Sequence, residues 1–133
     1  MMDPFDPNTW DWRDPVFRMY AGRQAAYACF VDEDDYKHFT QWLWEPHINK
    51  GKIYFRRSLT ERPNGVRKNT SLYLHVEIMK RSGFLPLTEA HEIVDHLDGD
   101  TLNNRRVNLR WATRQQNNRN RFGVAARQRE LIQ

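Results

Sequence analysis

Arginine and amide side chains near the C-terminus have the spacing of one helix face. Arg114, Asn117, Asn118 and Arg121 follow an i, i+3, i+4, i+7 pattern. The surrounding segment 113–121 (TRQQNNRNR) offers no apolar side chain that could attach a helix to a core. A helix that is polar on all sides is either marginally stable or serves a ligand, and arginines with amides suit a metal-bound phosphate. A solvated or frayed helix is the alternative that this pattern leaves open.

An acid and a histidine, Asp95 and His96, stand at the end of an apolar segment shortly before that helix. Asp98 and Gly99 form a favoured turn pair, which predicts that the chain reverses there into a second strand around Leu109. Three asparagines occupy the loop between the strands, where short amides can hydrogen-bond to the backbone: Asn103, Asn104 and Asn108. Because neighbouring residues on a strand face opposite sides, Asp95 and His96 can serve one site only at a strand end or a bulge.

The elements that must position these groups are predicted from apolar spacing and from turn and capping residues. Thr113 and Gln116 match a capping box, so the polar helix is expected to begin at Thr113. A strand is predicted over 25–31, followed by a helix that Asp32 and Asp35 can cap and that runs to about Trp42, with Tyr36, Phe39 and Leu43 on one face. A hairpin with its turn at 49–51 and a polar loop over 61–69 come next. The remaining predicted elements are a strand over 71–74, a helix around 76–80 that ends at Gly83, and strands over 92–96 and 109–111.

The composition indicates one folded domain with a cationic C-terminal part. A chain of 133 residues with 39% hydrophobic content is long enough for one core. Cys29 is the only cysteine, which excludes an internal disulfide and a cysteine cluster for structural zinc. No apolar run reaches the roughly 18 residues of a membrane helix, so we expect no membrane partner.

The charge is distributed unevenly along the chain. Residues 1–36 hold eight acids and three arginines, whereas residues 101–133 hold eight arginines and one acid. The planar guanidinium grips phosphate in two-point fashion, so a concentration of arginine favours a polyanionic partner. A solvated basic face is the alternative that charge alone leaves open.

Several segments resemble a known family of enzymes. LHVEIM at 74–79, VDHLDGDTLNNRRVNLRWAT at 94–113 and QNNRNR at 116–121 closely resemble the HNH endonucleases of phages and group I introns. VDEDDYKHF at 31–39 resembles the part that precedes the nuclease motif in many of those proteins. The resemblance covers roughly residues 28–122, and it implies an α+β fold with a C-terminal ββα-metal (HNH, His-Me finger) motif.

The resemblance assigns roles to four residues by position. His96 resembles the general base of the family, and Asp95 resembles its carboxylate metal ligand. Asn108 corresponds to the central asparagine, which ties the loop together. Asn117 stands where the third signature residue lies on the helix, with asparagine in place of the commoner histidine. One carboxylate and one amide oxygen suit a hard cation, so we expect Mg²⁺ or Mn²⁺ and no zinc.

Double-stranded DNA is the partner that the resemblance implies. Candidate contacts in the C-terminal part are Arg105, Arg106, Arg110, Arg114, Asn118, Arg119 and Arg121. Lys52, Arg56 and Arg57 are candidates for a second DNA-facing patch on the predicted sheet. His75 could approach DNA, with a structural role inside the fold as the alternative.

We therefore expect a small antiparallel sheet with short helices that supports the nuclease motif. The expected parts are an irregular N-terminal arm over 1–24, a DNA-facing sheet-and-helix portion over 25–85, and the nuclease motif over 86–133. Many relatives continue into a separate helical module that reads DNA, for which no room is left before Gln133. We therefore expect sequence discrimination to be limited, or to be supplied by dimerisation or by a partner.

The expected function is that of a metal-dependent DNA endonuclease from a phage or mobile element, acting in homing or nicking. We expect a monomer or homodimer in the cytoplasm of a bacterium or a phage-infected host cell. A catalytically inactive DNA-binding protein on the same scaffold is one alternative. Another is a protein whose acidic arm, residues 3–35, occupies its own basic groove or binds another protein.

Overall fold

The structure is a computed structural model that describes residues 17–120. Its strands are β1 (Phe17–Ala21), β2 (Tyr27–Val31), β3 (Glu45–Asn49), β4 (Lys52–Glu61), β5 (Lys68–Tyr73), β6 (Ile93–His96) and β7 (Leu109–Ala112). Its helices are α1 (Glu33–Phe39), α2 (Leu74–Ser82) and α3 (Arg114–Arg119). The strands pair antiparallel in three sheets, β1–β2, β3–β4–β5 and β6–β7, which confirms the expected α+β class. Among the helices of residues 17–120, none combines the length and the apolarity that crossing a bilayer requires.

The first hairpin corrects the expected extent of the N-terminal arm, 1–24. Residues 17–21 form β1, which pairs along its whole length with β2, and residues 1–16 lie outside the described residues. Met19 and Ala21 are buried in the core, whereas Arg18 and Tyr20, which alternate with them along β1, are exposed. This alternation with a period of two is the pattern of a strand with one buried face.

Helix α1 is shorter than expected, and its apolar face is completed from outside the helix. It ends at Phe39, and Leu43, expected on that face, is 93% exposed. The buried Trp44 packs there instead, because its indole N–H donates to the Phe39 carbonyl at 2.8 Å. The prediction for Leu43 is therefore wrong, since the chain leaves the helical path before that residue.

Acidic side chains at the start of α1 bind basic residues far along the chain. Asp35 is fully buried, and its carboxylate accepts hydrogen bonds from Arg106 at 2.9 and 2.8 Å and from Arg81 at 3.3 Å. The sequence predicts that Asp32 caps the helix, but its side chain makes no capping hydrogen bond. It accepts the backbone N–H of Arg106 at 2.9 Å instead. These two acids thereby join α1 to α2 and to the segment that precedes β7.

The central sheet is built on the long strand β4. Its first half, from Lys52 to Arg56, pairs with β3, and its second half, from Arg56 to Glu61, pairs with β5. The β3–β4 turn places Lys50 and Gly51 at φ 51° and 77°, the positive values that a two-residue hairpin turn requires. The strands extend further than predicted, because the polar loop over 61–69 contributes residues to both β4 and β5.

The core lies where α2 packs against the sheets. The largest fully buried apolar side chains of the core are Val31, Phe55, Leu74 and Ile78. Helix α2 begins earlier than predicted, at Leu74, and ends as predicted at Gly83, whose φ of 82° gives the left-handed C-cap that glycine adopts without strain. The helix thereby connects the N-terminal sheets to the C-terminal hairpin.

The C-terminal part consists of the β6–β7 hairpin followed at once by α3. The Thr113 side chain accepts the Gln116 backbone N–H, and the Gln116 side chain accepts that of Thr113, so the predicted capping box and helix start are confirmed. The loop between β6 and β7 is docked on β2: the Phe30 backbone donates to the Leu102 carbonyl and accepts from the Asn104 N–H, both at 2.8 Å. The N-terminal hairpin therefore fixes the position of this loop.

Candidate active site

A cavity of about 650 Å³ lies where the C-terminal hairpin, α3 and the β3–β4 hairpin meet. Six of the residues singled out from the sequence line it: Lys52, His75, Asp95, His96, Asn117 and Asn118. Tyr54 and Asn120 line it as well. The cavity therefore brings together side chains from four separate elements of the chain.

Asp95 and His96 reach the same cavity although they are neighbours on a strand. Both line it, and His96 is the last residue of β6. Beyond His96 the backbone leaves the ladder, with the Leu97 N–H bonded to the Asn108 carbonyl at 2.8 Å and the Gly99 N–H bonded to the His96 carbonyl at 2.9 Å. A strand end is one of the two places at which the sequence allowed this pair to share a site.

The surroundings of His96 keep its imidazole neutral and fix its tautomer. The residue is 5% exposed, and burial lowers the pKa of His96 to about 4. Its Nε2 lies 2.8 Å from the side-chain oxygen of Asn104. Because an amide oxygen can only accept, Nε2 carries the proton and Nδ1 keeps the lone pair. At neutral pH His96 therefore has a ring nitrogen that can accept a proton.

Asp95 is held by two donors on one of its oxygens. The Arg110 guanidinium binds Oδ2 at 3.0 and 2.9 Å, and the Asn120 amide donates to the same oxygen at 2.9 Å. Burial raises the pKa of Asp95 above its usual value, against the lowering effect of these hydrogen bonds. Among residues 17–120 the contacts to this carboxylate are all to Oδ2, so Oδ1 is the oxygen with which Asp95 could hold a further cation.

Helix α3 presents amides to the cavity and arginines to solvent. Asn117 and Asn118 line the cavity, as their predicted common face requires. Arg114, predicted on that face, is 81% exposed and lies 3.4 Å from Glu92, and Arg119 is exposed. Arg121, the fourth predicted member, lies outside the described residues.

Asn108 binds the loop rather than the cavity. Its amide donates to the Asp98 carboxylate at 2.8 Å and to the Asn103 carbonyl at 3.0 Å, and its side-chain oxygen accepts the Asp98 N–H at 3.1 Å. Asn103 in turn donates to the same carboxylate at 3.1 Å. This buried network holds the turn that follows His96.

Two aromatic rings stand beside His96. The His75 ring centroid lies 4.9 Å from that of His96, and Tyr54 lies 5.6 Å from His75 and 6.4 Å from His96. Burial and the neighbouring His96 both lower the pKa of His75 well below its usual value. Burial also raises the pKa of Tyr54. Both rings are therefore uncharged at neutral pH, and both pack beside the His96 ring.

Three arginines predicted to contact DNA are bound by carboxylates inside the protein. The pairs are Arg105 with Asp32 at 3.8 Å, Arg106 with Asp35 at 2.8 Å and Arg110 with Asp95 at 2.9 Å. Arg106 holds its carboxylate in two-point contact, the geometry with which arginine also binds phosphate. The Arg106 guanidinium connects α1 to the C-terminal part, and its predicted contact with phosphate stays a prediction. The exposed Arg114 and Arg119 remain candidates.

The predicted patch of Lys52, Arg56 and Arg57 does not form one surface. Lys52 lines the cavity and donates to the Gly99 carbonyl at 3.3 Å. Arg56 follows on the same face of β4, since alternate residues share a face. Arg57 lies on the opposite face, where its guanidinium stacks on Trp42 at 4.4 Å from the ring centroid. The patch is corrected to Lys52 and Arg56.

Two asparagines that contact the site were not assigned to it from the sequence. Asn104 accepts from His96, and Asn120 donates to the Asp95 carboxylate and to the His96 carbonyl at 2.9 and 2.8 Å. Both are almost fully buried, at 1% and 3% exposure. A buried amide must be hydrogen-bonded, but the sequence shows neither the burial nor the partner. The feature of the sequence that could have identified Asn120 as a site residue is its position directly after a helix that has no apolar residues.

The first strand of the C-terminal hairpin ends in an acid and a histidine, and the amides of the following helix line the same cavity. The resemblance to HNH endonucleases predicts this arrangement. Residues 73–119 match the family model described as HNH endonuclease. The match covers α2, β6, β7 and α3 and leaves β1–β4 outside it. No curated protein and no solved structure matches the chain.

Proposed function

We propose that the protein is a metal-dependent DNA endonuclease that hydrolyses a phosphodiester bond with water activated by His96. The observation that carries this proposal is that Asp95, His96 and Asn117, from a strand and a helix separated in sequence, line one cavity. The family match supports a nuclease. The choice of DNA follows from the family resemblance, whereas the hard metal ion and the catalytic step follow from the side chains of the cavity.

The residues supply the proton transfer that the reaction needs. Attack on a phosphodiester requires a deprotonated water, neutralisation of charge on the phosphate and help for the departing oxygen. His96 Nδ1 accepts the proton of the water, and Asn104 orients the ring and stabilises the imidazolium through the Nε2–H bond at 2.8 Å. Tyr54 and His75 pack beside the ring, at centroid distances of 6.4 and 4.9 Å. The expected products, as in the family, carry 5′-phosphate and 3′-hydroxyl ends.

The donors fit a hard divalent cation. Asp95 would hold it through Oδ1 and Asn117 through its amide oxygen, which are the oxygen ligands that Mg²⁺ and Mn²⁺ prefer. Within residues 17–120 no group of three or more histidine, cysteine, aspartate or glutamate side chains could hold a metal, so water and phosphate oxygens would complete the shell. When bound, the cation supplies charge neutralisation at the phosphate and at the departing oxygen. Burial disfavours the charged form of Asp95, and a cation would offset that penalty.

One observation favours a second candidate, a DNA-binding protein without catalysis. Arg110 already neutralises Asp95 at 2.9 Å, so the carboxylate has a cationic partner without a metal.

For the active protein, we propose homing or nicking for a phage or mobile element, in the cytoplasm of a bacterial or infected host cell. We further propose a monomer or homodimer, of which the monomer nicks one strand because the chain carries one motif.

The test is incubation of supercoiled plasmid with Mg²⁺ or with EDTA. We expect nicked circles from the parent protein with Mg²⁺, none with EDTA, and losses of several orders of magnitude in His96→Ala and Asn117→Ala. His91→Ala is the matched control, because His91 bonds to Thr88 at 2.7 Å and does not line the cavity. Equal activity in His96→Ala and His91→Ala would refute the assignment. Retained DNA binding without metal-dependent nicking in the parent would favour the second candidate.

A further inference from the structure

The loop that sets the tautomer of His96 is held by residues outside the C-terminal hairpin. The Asn104 backbone N–H donates to the Phe30 carbonyl, and the Phe30 N–H donates to the Leu102 carbonyl, both at 2.8 Å. The Asn104 side chain also interacts with the thiol of Cys29, which is fully buried in β2. The position of the Asn104 amide, and with it the hydrogen bond to His96, therefore depends on the end of β2.

Asp32, the first residue after β2, binds the same loop further along. Its Oδ2 accepts the Arg106 backbone N–H at 2.9 Å, and its Oδ1 lies 3.8 Å from Nε of Arg105. Arg106 begins a 3₁₀ turn that runs to Asn108, and the residue before this turn caps it with no side-chain hydrogen bond. The first N–H groups of a helical turn lack partners within the turn, and a carboxylate is among the best groups to cap them. Asp32 therefore caps this turn from 74 positions away.

The Asp32 carboxylate continues a parallel ladder that its own backbone has left. The bridge between Phe30 and Asn103 is parallel. Two residues further along such a ladder, the Asp32 carbonyl would accept the Arg106 N–H. That carbonyl instead accepts the Tyr36 N–H at 2.9 Å, at the start of α1. The side chain supplies the missing acceptor, so the ladder extends past the residue that sets the tautomer.

We propose that Asp32 is a positioning residue for catalysis. By capping the turn over 106–108, it holds the Asn104 amide oxygen where that oxygen fixes the tautomer of His96. This inference rests on the proposed function, since it takes His96 as the base that accepts the proton of the water. Asp32 does not line the cavity and lies outside residues 73–119, so it acts through the loop and from outside the family match.

The test uses substitutions that separate the hydrogen-bond acceptor from the charge. Asp32→Ala removes the acceptor, and Asp32→Asn keeps an acceptor oxygen without the charge. Asp34→Ala is the control, because it removes one negative charge from an exposed position in α1. Urea unfolding checks that each variant is folded. If Asp32→Ala does not fold, Asp32→Glu takes its place, because it keeps the charge and displaces the carboxylate by one methylene group.

Two measurements distinguish positioning from a general effect on the fold. Nitrogen-detected NMR at neutral pH in EDTA reports which ring nitrogen of His96 carries the proton, and the signals of this ring are assigned by their absence from His96→Gln. Plasmid nicking at saturating Mg²⁺ gives kcat and KM for DNA. A displaced Asn104 would change the tautomer and kcat in a protein that is still folded and still binds DNA.

We expect the parent, Asp32→Asn and Asp34→Ala to show the Nε2–H tautomer. Asp32→Ala should show a mixture of the two tautomers and a kcat lower by about 10-fold, with KM unchanged. Asp32→Asn should keep kcat within about 3-fold of the parent, since aspartate and asparagine cap helical turns about equally well.

The Nε2–H tautomer alone in folded Asp32→Ala would overturn the proposal. Equal losses of kcat in Asp32→Ala and Asp32→Asn would overturn it as well, because they would assign the effect to charge. Failure of the parent to nick plasmid with Mg²⁺ would instead refute the proposed function. The NMR comparison does not depend on cleavage, so it would still decide whether Asp32 positions the contact between Asn104 and His96.

Discussion

The buried, neutral His96 predicts that the folded protein loses stability as the pH falls below 7. Burial lowers the pKa of His96 to about 4 in the folded protein, whereas an exposed histidine in the unfolded chain titrates near 6.5. Between these values the unfolded state binds more protons than the folded state. The free energy of unfolding therefore rises with pH across this window and falls as the pH is lowered through it.

The size of this effect follows from the two pKa values. From pH 7.5 to pH 5.5 the unfolded imidazole becomes largely protonated while the folded His96 stays neutral, which lowers the free energy of unfolding by about 1 kcal/mol. His75 acts in the same direction, since its pKa is also lowered. The raised pKa of Asp95 acts in the opposite direction, so the contribution of His96 must be isolated by substitution.

The assay compares the parent with His96→Gln in urea, followed by tryptophan fluorescence, at pH 7.5 and 5.5 in EDTA. The stability loss on acidification should be smaller in His96→Gln by about 1 kcal/mol. The control is His38→Gln, whose ring packs on Phe39 and Trp42 near the surface. In the parent, nitrogen-detected NMR should show the Nε2–H tautomer at pH 5.5. An identical pH dependence in His96→Gln and the parent would refute the reasoning about burial.

Three further substitutions test separate contacts. Asp35→Asn removes the buried charge that two guanidiniums share and should lower the free energy of unfolding by about 3 kcal/mol. Glu33→Gln, which removes one partner of an exposed ion pair, should change it by less than about 1 kcal/mol. Similar values for the two variants in urea titrations would contradict the role of burial. Asn104→Ala removes the acceptor of the imidazole Nε2–H and should lower kcat for nicking about 10- to 100-fold, with KM for DNA unchanged. A change confined to KM would show that Asn104 does not position the His96 ring. Asn120→Ala removes a donor from Asp95 and should raise the Mg²⁺ concentration for half-maximal nicking by about 10-fold, and an unchanged metal requirement would count against this contact.

Local signals along the sequence predicted the C-terminal elements well. Thr113 and Gln116 cap α3 as predicted, Gly83 ends α2, and the chain reverses after His96 at Asp98 and Gly99. These features depend on residues a few positions apart, such as a side chain that caps its own helix or a glycine that adopts a positive φ. Contacts of this range can be inferred from spacing because the backbone itself brings the groups together.

The pairing of charges could not be inferred in this way. Arg106 binds Asp35, which is 71 positions away, although the arginine-rich composition predicted a phosphate contact. Trp44, rather than Leu43, completes the apolar face of α1, because the chain turns out of the helix after Phe39. In each case the sequence supplied the right type of side chain, and the path of the chain decided its partner.

By itself, the sequence determined the set of groups that can act on a phosphodiester: the acid and histidine at the end of one strand and the amides of the following polar helix. Only the tertiary structure decided that Asp95, His96 and Asn117 line a common cavity, that Asn104 sets the tautomer of the imidazole, and that Arg106 binds the buried Asp35. The physical reason is that side-chain chemistry is local, whereas burial, hydrogen-bond partners and the direction of a strand depend on residues that are distant in the chain and adjacent only after folding.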